Sequence, residues 1–257
     1  VTGVMLVFYI ISLKIKNAGI VDVLWAASFG VIAVACAAFM HGLAERNIIM
    51  LIAVIPWSTR MTIHLLLRFL HEHPHEDTRY AHLRKEWGNK TLYLMCLVFL
   101  FQGLLIAILS APFIVIAGNH SLEIHLQEWL GAGVCVVGTI GEAIADAQLK
   151  AFKNDPANRA KVCSTGLWNY SRHPNYFFEF TVWVGIFILA SASPLGIYTI
   201  YCPLIMLFLL TQMTGVKISE EQSLKKRGEE YRRYQASTSA FIPWFKKSSS
   251  RSQEKTL

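Results

Sequence analysis

Charge is the scarcest ingredient of this chain: Asp, Glu, Lys and Arg make up 16% of its 257 residues, against about a quarter in an ordinary soluble domain. Such a shortage argues against a water-soluble enzyme. No Gly-x-Gly-x-x-Gly string follows a strand-like run, which excludes a Rossmann dinucleotide site. The five cysteines, Cys36, Cys96, Cys135, Cys163 and Cys202, form no Cys-x-x-Cys pair and lie mostly in apolar blocks. They read as small hydrophobes rather than disulfide partners or metal ligands. No basic stretch precedes the first apolar run, so no cleavable signal peptide is expected. No internal repeat is found.

What is abundant is hydrocarbon: 54% of residues are hydrophobic and the mean hydropathy is +0.40. Apolar stretches cover residues 1–13, 18–41, about 48–70, about 91–117, about 128–148, about 177–193 and 196–216. A span takes roughly 20 residues, so the expected fold is all-α and polytopic, with about seven transmembrane helices. The segments after the first, third and fifth stretches hold Lys14, Lys16, Arg79, Arg84, Lys85, Lys90, Lys150, Lys153, Arg159, Lys161 and Arg172, and the tail is also basic. The opposite side holds Arg46 alone. By the positive-inside rule the C-terminus is cytoplasmic, in a bacterial inner membrane or the endoplasmic reticulum. The net charge of +7 is then loop charge at a membrane face, and no nucleic-acid partner is expected. Residues 71–90 read as a polar loop. Ser219-Glu220-Glu221-Gln222 fits a capping box that opens a C-terminal cytoplasmic helix. Residues 1–245 read as a single integral membrane domain and 246–257 as a disordered polar tail.

Ionisable groups in hydrocarbon are costly, which singles out Asp22, Arg60, His64, Glu142, Asp146 and Glu179. Glu142 and Asp146 are four residues apart, as are Asn175 and Glu179, so each pair shares a helix face. All but Arg60 lie toward the cytoplasmic ends, which describes a polar cavity open to the cytoplasm; polar contacts between helices are the alternative. The densest segment is Gly166-Leu-Trp-Asn-Tyr-Ser-Arg-His-Pro-Asn-Tyr176. Arg172 and His173 suit phosphate or carboxylate, and Asn175 offers both an amide donor and an acceptor. An interfacial anchor of Trp, Tyr and Arg is the alternative. Lys153 and Arg159 are further candidates for gripping phosphate. His71-Glu-His-Pro-His-Glu76 is dense in metal-ligating types, but its spacing fits no helical ligand pair, and it reads as a solvated loop with no metal.

Gly166 to Glu179, with Glu220-Glu221, Tyr231, Tyr234 and Ile242-Pro243-Trp244, resembles the C-terminal domain of the steroid 5-alpha-reductase superfamily (3-oxo-5-alpha-steroid 4-dehydrogenase-like). Asp22-Val-Leu-Trp25 and Glu76-Asp77-Thr-Arg-Tyr80 with Trp87-Gly88 resemble its bacterial branch. The resemblance implies a seven-helix membrane oxidoreductase that binds NADPH in a cytoplasm-facing cavity. It would pass hydride to the conjugated C=C of an enone lipid or steroid-like substrate. Matched residue by residue, it implies that Asn175 contacts the nicotinamide amide, with Glu179 one turn on and Asp146 near the cofactor. It places Arg172, His173, Tyr176, Glu221 and Tyr234 in the cofactor-contact region. This sequence has no Gln-Glu pair of the animal steroid reductases; Asp22 occupies a broadly similar place, and Asp22 or Tyr80 is the candidate catalytic proton donor. The isoprenylcysteine carboxyl methyltransferases, which use S-adenosylmethionine, share the Arg-His-Pro-x-Tyr string and the Glu-Glu tail helix. A non-enzymatic lipid-binding or transport protein is the other alternative. The expected partners are a lipophilic small molecule and the bilayer.

Overall fold

The computed structural model describes residues 1–213 and 215–246. These are helical, with no β-strand among the described residues. In chain order the helices are α1 (Thr2–Ile15), α2 (Ile20–Phe39), α3 (Ala44–Glu72), α4 (Thr78–Trp87), α5 (Thr91–Leu109), α6 (Ala111–Ala117), α7 (Leu126–Asn154), α8 (Pro174–Ala190), α9 (Tyr201–Phe208) and α10 (Val216–Ser237). Among the described residues, five helical runs are long and apolar enough to cross a membrane: Ile20–Phe39, Ala44–Glu72, Thr78–Ala117, Leu126–Asn154 and Gly196–Ser237. Thr2–Ile15 and Pro174–Ala190 are shorter apolar helices. The protein is therefore all-helical with several membrane-length apolar helices. The chain divides into two compact units: residues 1–133 with 185–202, and 134–184 with 203–257.

In the first unit, α2 and α3 pack along a small-residue seam. The Gly30 N–H donates to Ser58 Oγ at 3.0 Å, and that hydroxyl donates to the carbonyl of Ala26 at 2.7 Å. A Cβ at residue 30 would stand 2.7 Å from Ser58 Oγ, so glycine sets the approach of the two helices. Phe29 is the centre of the core, with Trp25 edge-on at 4.7 Å and Phe113 at 6.4 Å between ring centroids. Trp25 is thus a packing residue beside Phe29. The apolar run of α5 and α6 is divided at Ser110, two residues before Pro112, which brings no N–H to the helix.

Arg46, placed by sequence in a short turn, lies in the first turn of α3 and is fully buried, as is Glu128 on α7. Its Nε forms an ion pair with Glu128, and its terminal nitrogens donate to the carbonyls of Asn119 (3.0 Å), Ser121 (2.9 Å) and Glu123 (2.5 Å). Glu128 in turn accepts from the His125 N–H at 2.8 Å. One guanidinium therefore supplies the hydrogen bonds that an irregular stretch at the end of apolar helices would otherwise lack.

Two local expectations change. The stretch 71–90 contains α4, which hydropathy does not reveal because the helix is polar; Asp77 caps it by accepting the Arg79 N–H at 2.9 Å, and Gly88 ends it at φ 50°. The tail helix begins at Val216 with Gly215 as its N-cap, so Ser219 is already inside it, its N–H bonded to the Gly215 carbonyl at 3.1 Å. The capping-box pattern is present but unused as a start. Of the expected tail disorder, residues 247–257 lie outside the described residues.

In the second unit, α7 and the start of α8 approach closely. A Cβ on Gly138 would fall 2.9 Å from the Phe178 carbonyl oxygen, so this contact also depends on glycine.

Breaking a buried ion pair by removing one partner costs about 3–5 kcal/mol, whereas replacing both by apolar groups is nearly neutral. Arg46→Ala is therefore expected to lower stability by about that amount, and Arg46→Met with Glu128→Leu to restore only part of it, because the carbonyls of Asn119, Ser121 and Glu123 stay unpaired. Unfolding in detergent micelles measures both.

Candidate functional site

The chemistry-bearing residues fall into two groups, one in each unit. In the second unit, α7 ends at Asn154 and the chain returns through 155–173 to α8. Gly166 adopts φ 59°, which aims the next backbone N–H of Leu167 at Gln148 Oε1 (2.9 Å), while the indole of Trp168 donates to the Ala145 carbonyl (2.9 Å). This fixes the return loop on α7. The loop is fixed on α10 as well: the Tyr234 hydroxyl donates to the carbonyl of Trp168 and lies 3.3 Å from that of Ser171.

Arg172 is the centre of this clamp and is largely buried. Its Nε donates to Glu220 Oε1 at 2.6 Å, and Nη1 donates to the carbonyls of Gln235 (3.0 Å) and Thr238 (2.5 Å). His173 Nε2 lies 3.4 Å from the same Glu220 oxygen, and Gln235 donates to the other at 2.8 Å. The His173 ring stacks on Tyr176 with centroids 5.5 Å apart and planes 3° apart. Arg172 and His173, expected to grip an anion, are directed here at Glu220 and main-chain carbonyls, so they hold the segment that carries Asn175. Burial by itself would raise the Glu220 carboxyl. The hydrogen bonds from His173 and Arg172, with the guanidinium charge, outweigh it and bring the group down to about 2. Tyr231, beside it on the polar α10, is pushed up to about 12 by burial and by the Glu220 charge.

Glu220 is the residue that sequence reasoning passed over. The Glu-Glu doublet does not say which of the two meets the clamp; the phase of α10 does: Glu221 is exposed, and Glu220 faces Arg172. Lys153 and Arg159 are exposed on the return segment.

Deeper on the same helices, α7 and α8 bring Asp146 and Asn175 together. Asn175 Nδ2 donates to Asp146 Oδ1 at 3.2 Å, while Asn175 Oδ1 is buried and has no hydrogen-bond partner within the protein. A buried carbonyl oxygen left open in this way is an acceptor awaiting a donor. Glu142, one turn before Asp146, is buried, and buried Glu179 accepts from the Trp183 indole at 3.2 Å.

In the first unit the structure joins Asp22 and Tyr80. The buried Tyr80 hydroxyl donates to Asp22 Oδ1 at 2.7 Å, and Arg79 Nη2 donates to Asp22 Oδ2 at 2.6 Å. Arg79 also bridges to Asp77 at 3.0 Å, and Asp77 receives Arg68 at 2.6 Å. Burial and the Asp22 charge push the Tyr80 phenol well above its ordinary range. Burial would raise Asp77, yet the Arg79 bonds leave it below its ordinary value. Asn17, Asp22, Arg68, Phe69, His75 and Asp77 border a small hollow here. Arg79 was legible only as a loop charge; its proximity to Asp22 follows from the Asp77 cap, which starts α4 at that point. The histidine-rich stretch forms no metal-ligand group among the described residues; instead Glu76 accepts from the Ala18 N–H and from Arg84, both at 2.7 Å. Of the other intramembrane candidates, Arg60 is half-buried and His64 exposed on α3.

Among known proteins, the family model described as "Protein of unknown function (DUF1295)" matches residues 8–238. Over 79 residues the chain is 34% identical to a probable O-methyltransferase, ustE, of Ustilaginoidea virens, a match covering 30% of this chain and 26% of that relative. The chain thus spans about a quarter of the curated relative it matches. No solved structure gives a significant match.

A carboxyl lowered from its ordinary 4.5 to about 2 binds its proton more weakly in the folded state than in the unfolded state. Its stabilising contribution is complete above 4.5 and is lost as pH falls toward 2. The stability advantage of wild type over Glu220→Gln is therefore expected to be largest near neutral pH and to shrink across that acidic window. Thermal unfolding of both proteins across pH measures it.

Proposed function

The family match takes in most of the chain, so the protein belongs to the family described as "Protein of unknown function (DUF1295)", and from that premise we propose that it is a membrane-embedded, NADPH-dependent reductase. Its substrate class is an enone lipid or steroid-like molecule, reduced at the conjugated C=C. The observation that carries this reading is the Asn175 amide. Its N–H is committed to Asp146, which fixes the orientation of the amide and leaves the buried oxygen as a lone acceptor. A primary carboxamide, such as that of nicotinamide, presents the complementary N–H donor. The residues present therefore fit the group: Asn175 and Asp146 for the carboxamide, with Glu179 and Tyr176 on the same turn-and-a-half of α8.

When bound, such a cofactor supplies hydride. The chain's own contribution is placement and proton handling. Arg172, His173, Glu220 and Tyr234 keep the start of α8 in register with α10, so that Asn175 is held rather than free. Hydride addition to the β-carbon of an enone leaves negative charge on the carbonyl oxygen, and an oriented O–H lowers that barrier. We assign this donor role to Tyr80: its single O–H, held by Asp22 in the resting protein, turns to the substrate oxygen and gives up its proton there, and the phenolate is reprotonated from solvent. The charge asymmetry of the loops supports seven spans, the two shorter apolar helices included, with the C-terminus on the cytoplasmic side.

A second reading, an S-adenosylmethionine-dependent methyltransferase, is favoured by the partial likeness to the probable O-methyltransferase. The two are separated by cofactor. NADPH at a hundred times its dissociation constant is expected to stabilise the protein in detergent by about 2.7 kcal/mol, with the effect lost in Asn175→Ala; stabilisation by S-adenosylmethionine alone establishes the second reading instead. In assays with an enone substrate, Tyr80→Phe is expected to lower kcat about a hundredfold or more while leaving NADPH binding unchanged, the scale set by loss of one oriented donor.

A further inference from the structure

The polar tail helix α10 ends at Ser237, and the chain beyond it is pinned to the start of α8. Ser239 and Ser171 form a parallel bridge. The Arg172 N–H donates to the Ser239 carbonyl at 2.9 Å, the Ser171 hydroxyl donates to the Phe241 carbonyl at 2.8 Å, and the Trp244 N–H donates to the Tyr170 carbonyl at 2.9 Å. Phe241 packs against Phe177 and Phe180. Its neighbours do the opposite: Ile242, Trp244 and Phe245 are 60%, 68% and 77% exposed. Tyr170 joins them, 41% exposed and edge-on to Phe245 at 6.1 Å, with Trp244 at 6.5 Å from the same ring. Because the backbone is held by hydrogen bonds on both sides, the fold itself presents these side chains outward.

A cluster of Trp, Phe, Tyr and Ile set out from a strongly polar helix is a surface that water does not favour. Two features say what covers it. The cluster stands at the edge of an apolar helix, since α8 begins at Pro174, and amphipathic rings at the end of an apolar helix settle at the lipid headgroup level. Charge follows at once: residues 246–257 hold Lys246, Lys247, Arg251 and Lys255 against the single acid Glu254, and basic residues beside a membrane surface are drawn to anionic lipid.

We propose that Tyr170 and residues 242–246 form a seat for an anionic bilayer surface, with the Trp244 and Phe245 rings at headgroup depth and Lys246 among the lipid phosphates. The seat shares its root with the Arg172 clamp, since the carbonyls of Gln235 and Thr238 that hold Arg172 lie immediately before it. Membrane contact there therefore braces the segment that carries Asn175, whatever cofactor that segment holds.

The test uses the full chain in nanodiscs, comparing wild type with Trp244→Phe; the difference in emission isolates Trp244 from the other tryptophans. In phosphatidylglycerol discs that emission is expected to be blue-shifted, to be quenched when the lipid carries bromine near the head of its acyl chains, and to be quenched less in phosphatidylcholine discs. A water-like emission untouched by bromine overturns the seat and leaves the surface to a soluble partner. Equal quenching in the two lipids overturns its preference for anionic headgroups.

Discussion

The bond between Arg172 and Glu220 is the constraint on which the second unit rests. α10 is a polar helix with no apolar face wide enough to dock by burial alone, and its charged residues favour water. Chief among the polar contacts that hold it to the rest of the unit is one largely buried guanidinium that meets Glu220 at 2.6 Å and closes on the carbonyls of Gln235 and Thr238. Arginine suits this place because its planar fork serves several acceptors in fixed directions, which a lysine cannot do. With the clamp closed, His173 and Tyr176 stack, Tyr234 reaches the Trp168 carbonyl, and Asn175 enters α8 in one orientation, facing Asp146. The candidate site is therefore built backwards from the tail: the last helix decides where the first residues of α8 point.

The same physical rule recurs in the first unit. Buried charge persists only where it is paired and hydrogen-bonded. Arg46 satisfies this with Glu128 and three carbonyls, and Asp22 with Arg79 and Tyr80. The two arrangements differ in kind. The Arg46 cluster is wholly enclosed and ties an irregular stretch to the helices beside it, which is a structural task. The Asp22 cluster borders a hollow and keeps a partly exposed carboxylate between a phenol and a guanidinium, an arrangement suited to handling a proton.

Much of this was legible in the sequence because hydropathy reports burial in hydrocarbon directly. The long apolar helices lie close to where the apolar stretches fall, and Asp146 and Asn175 stood out as polar groups at apolar helix ends. What hydropathy does not report was missed. α4 is polar, and its start depends on a single Asp77 cap. The capping-box string at Ser219 is real chemistry in the wrong frame, because Val216 and Ile218 extend the helix back to Gly215. Which of Glu220 and Glu221 meets Arg172 is a matter of helical phase, which one doublet cannot fix. Arg172 was legible as important and its partner was not: an exposed-looking basic residue and an acid 48 residues later carry no sequence signal of their pairing.

The proposed reductase chemistry requires that the amide at Asn175 receive a nicotinamide. The most direct measurement is titration of NADPH into the full chain in nanodiscs, followed by the cofactor's own fluorescence. A saturable, blue-shifted enhancement is expected, which Asn175→Asp abolishes, because a second carboxylate beside Asp146 repels where the amide donated. Absence of any saturable signal in the wild-type protein, with labelled S-adenosylmethionine binding under the same conditions, would contradict nicotinamide binding at Asn175.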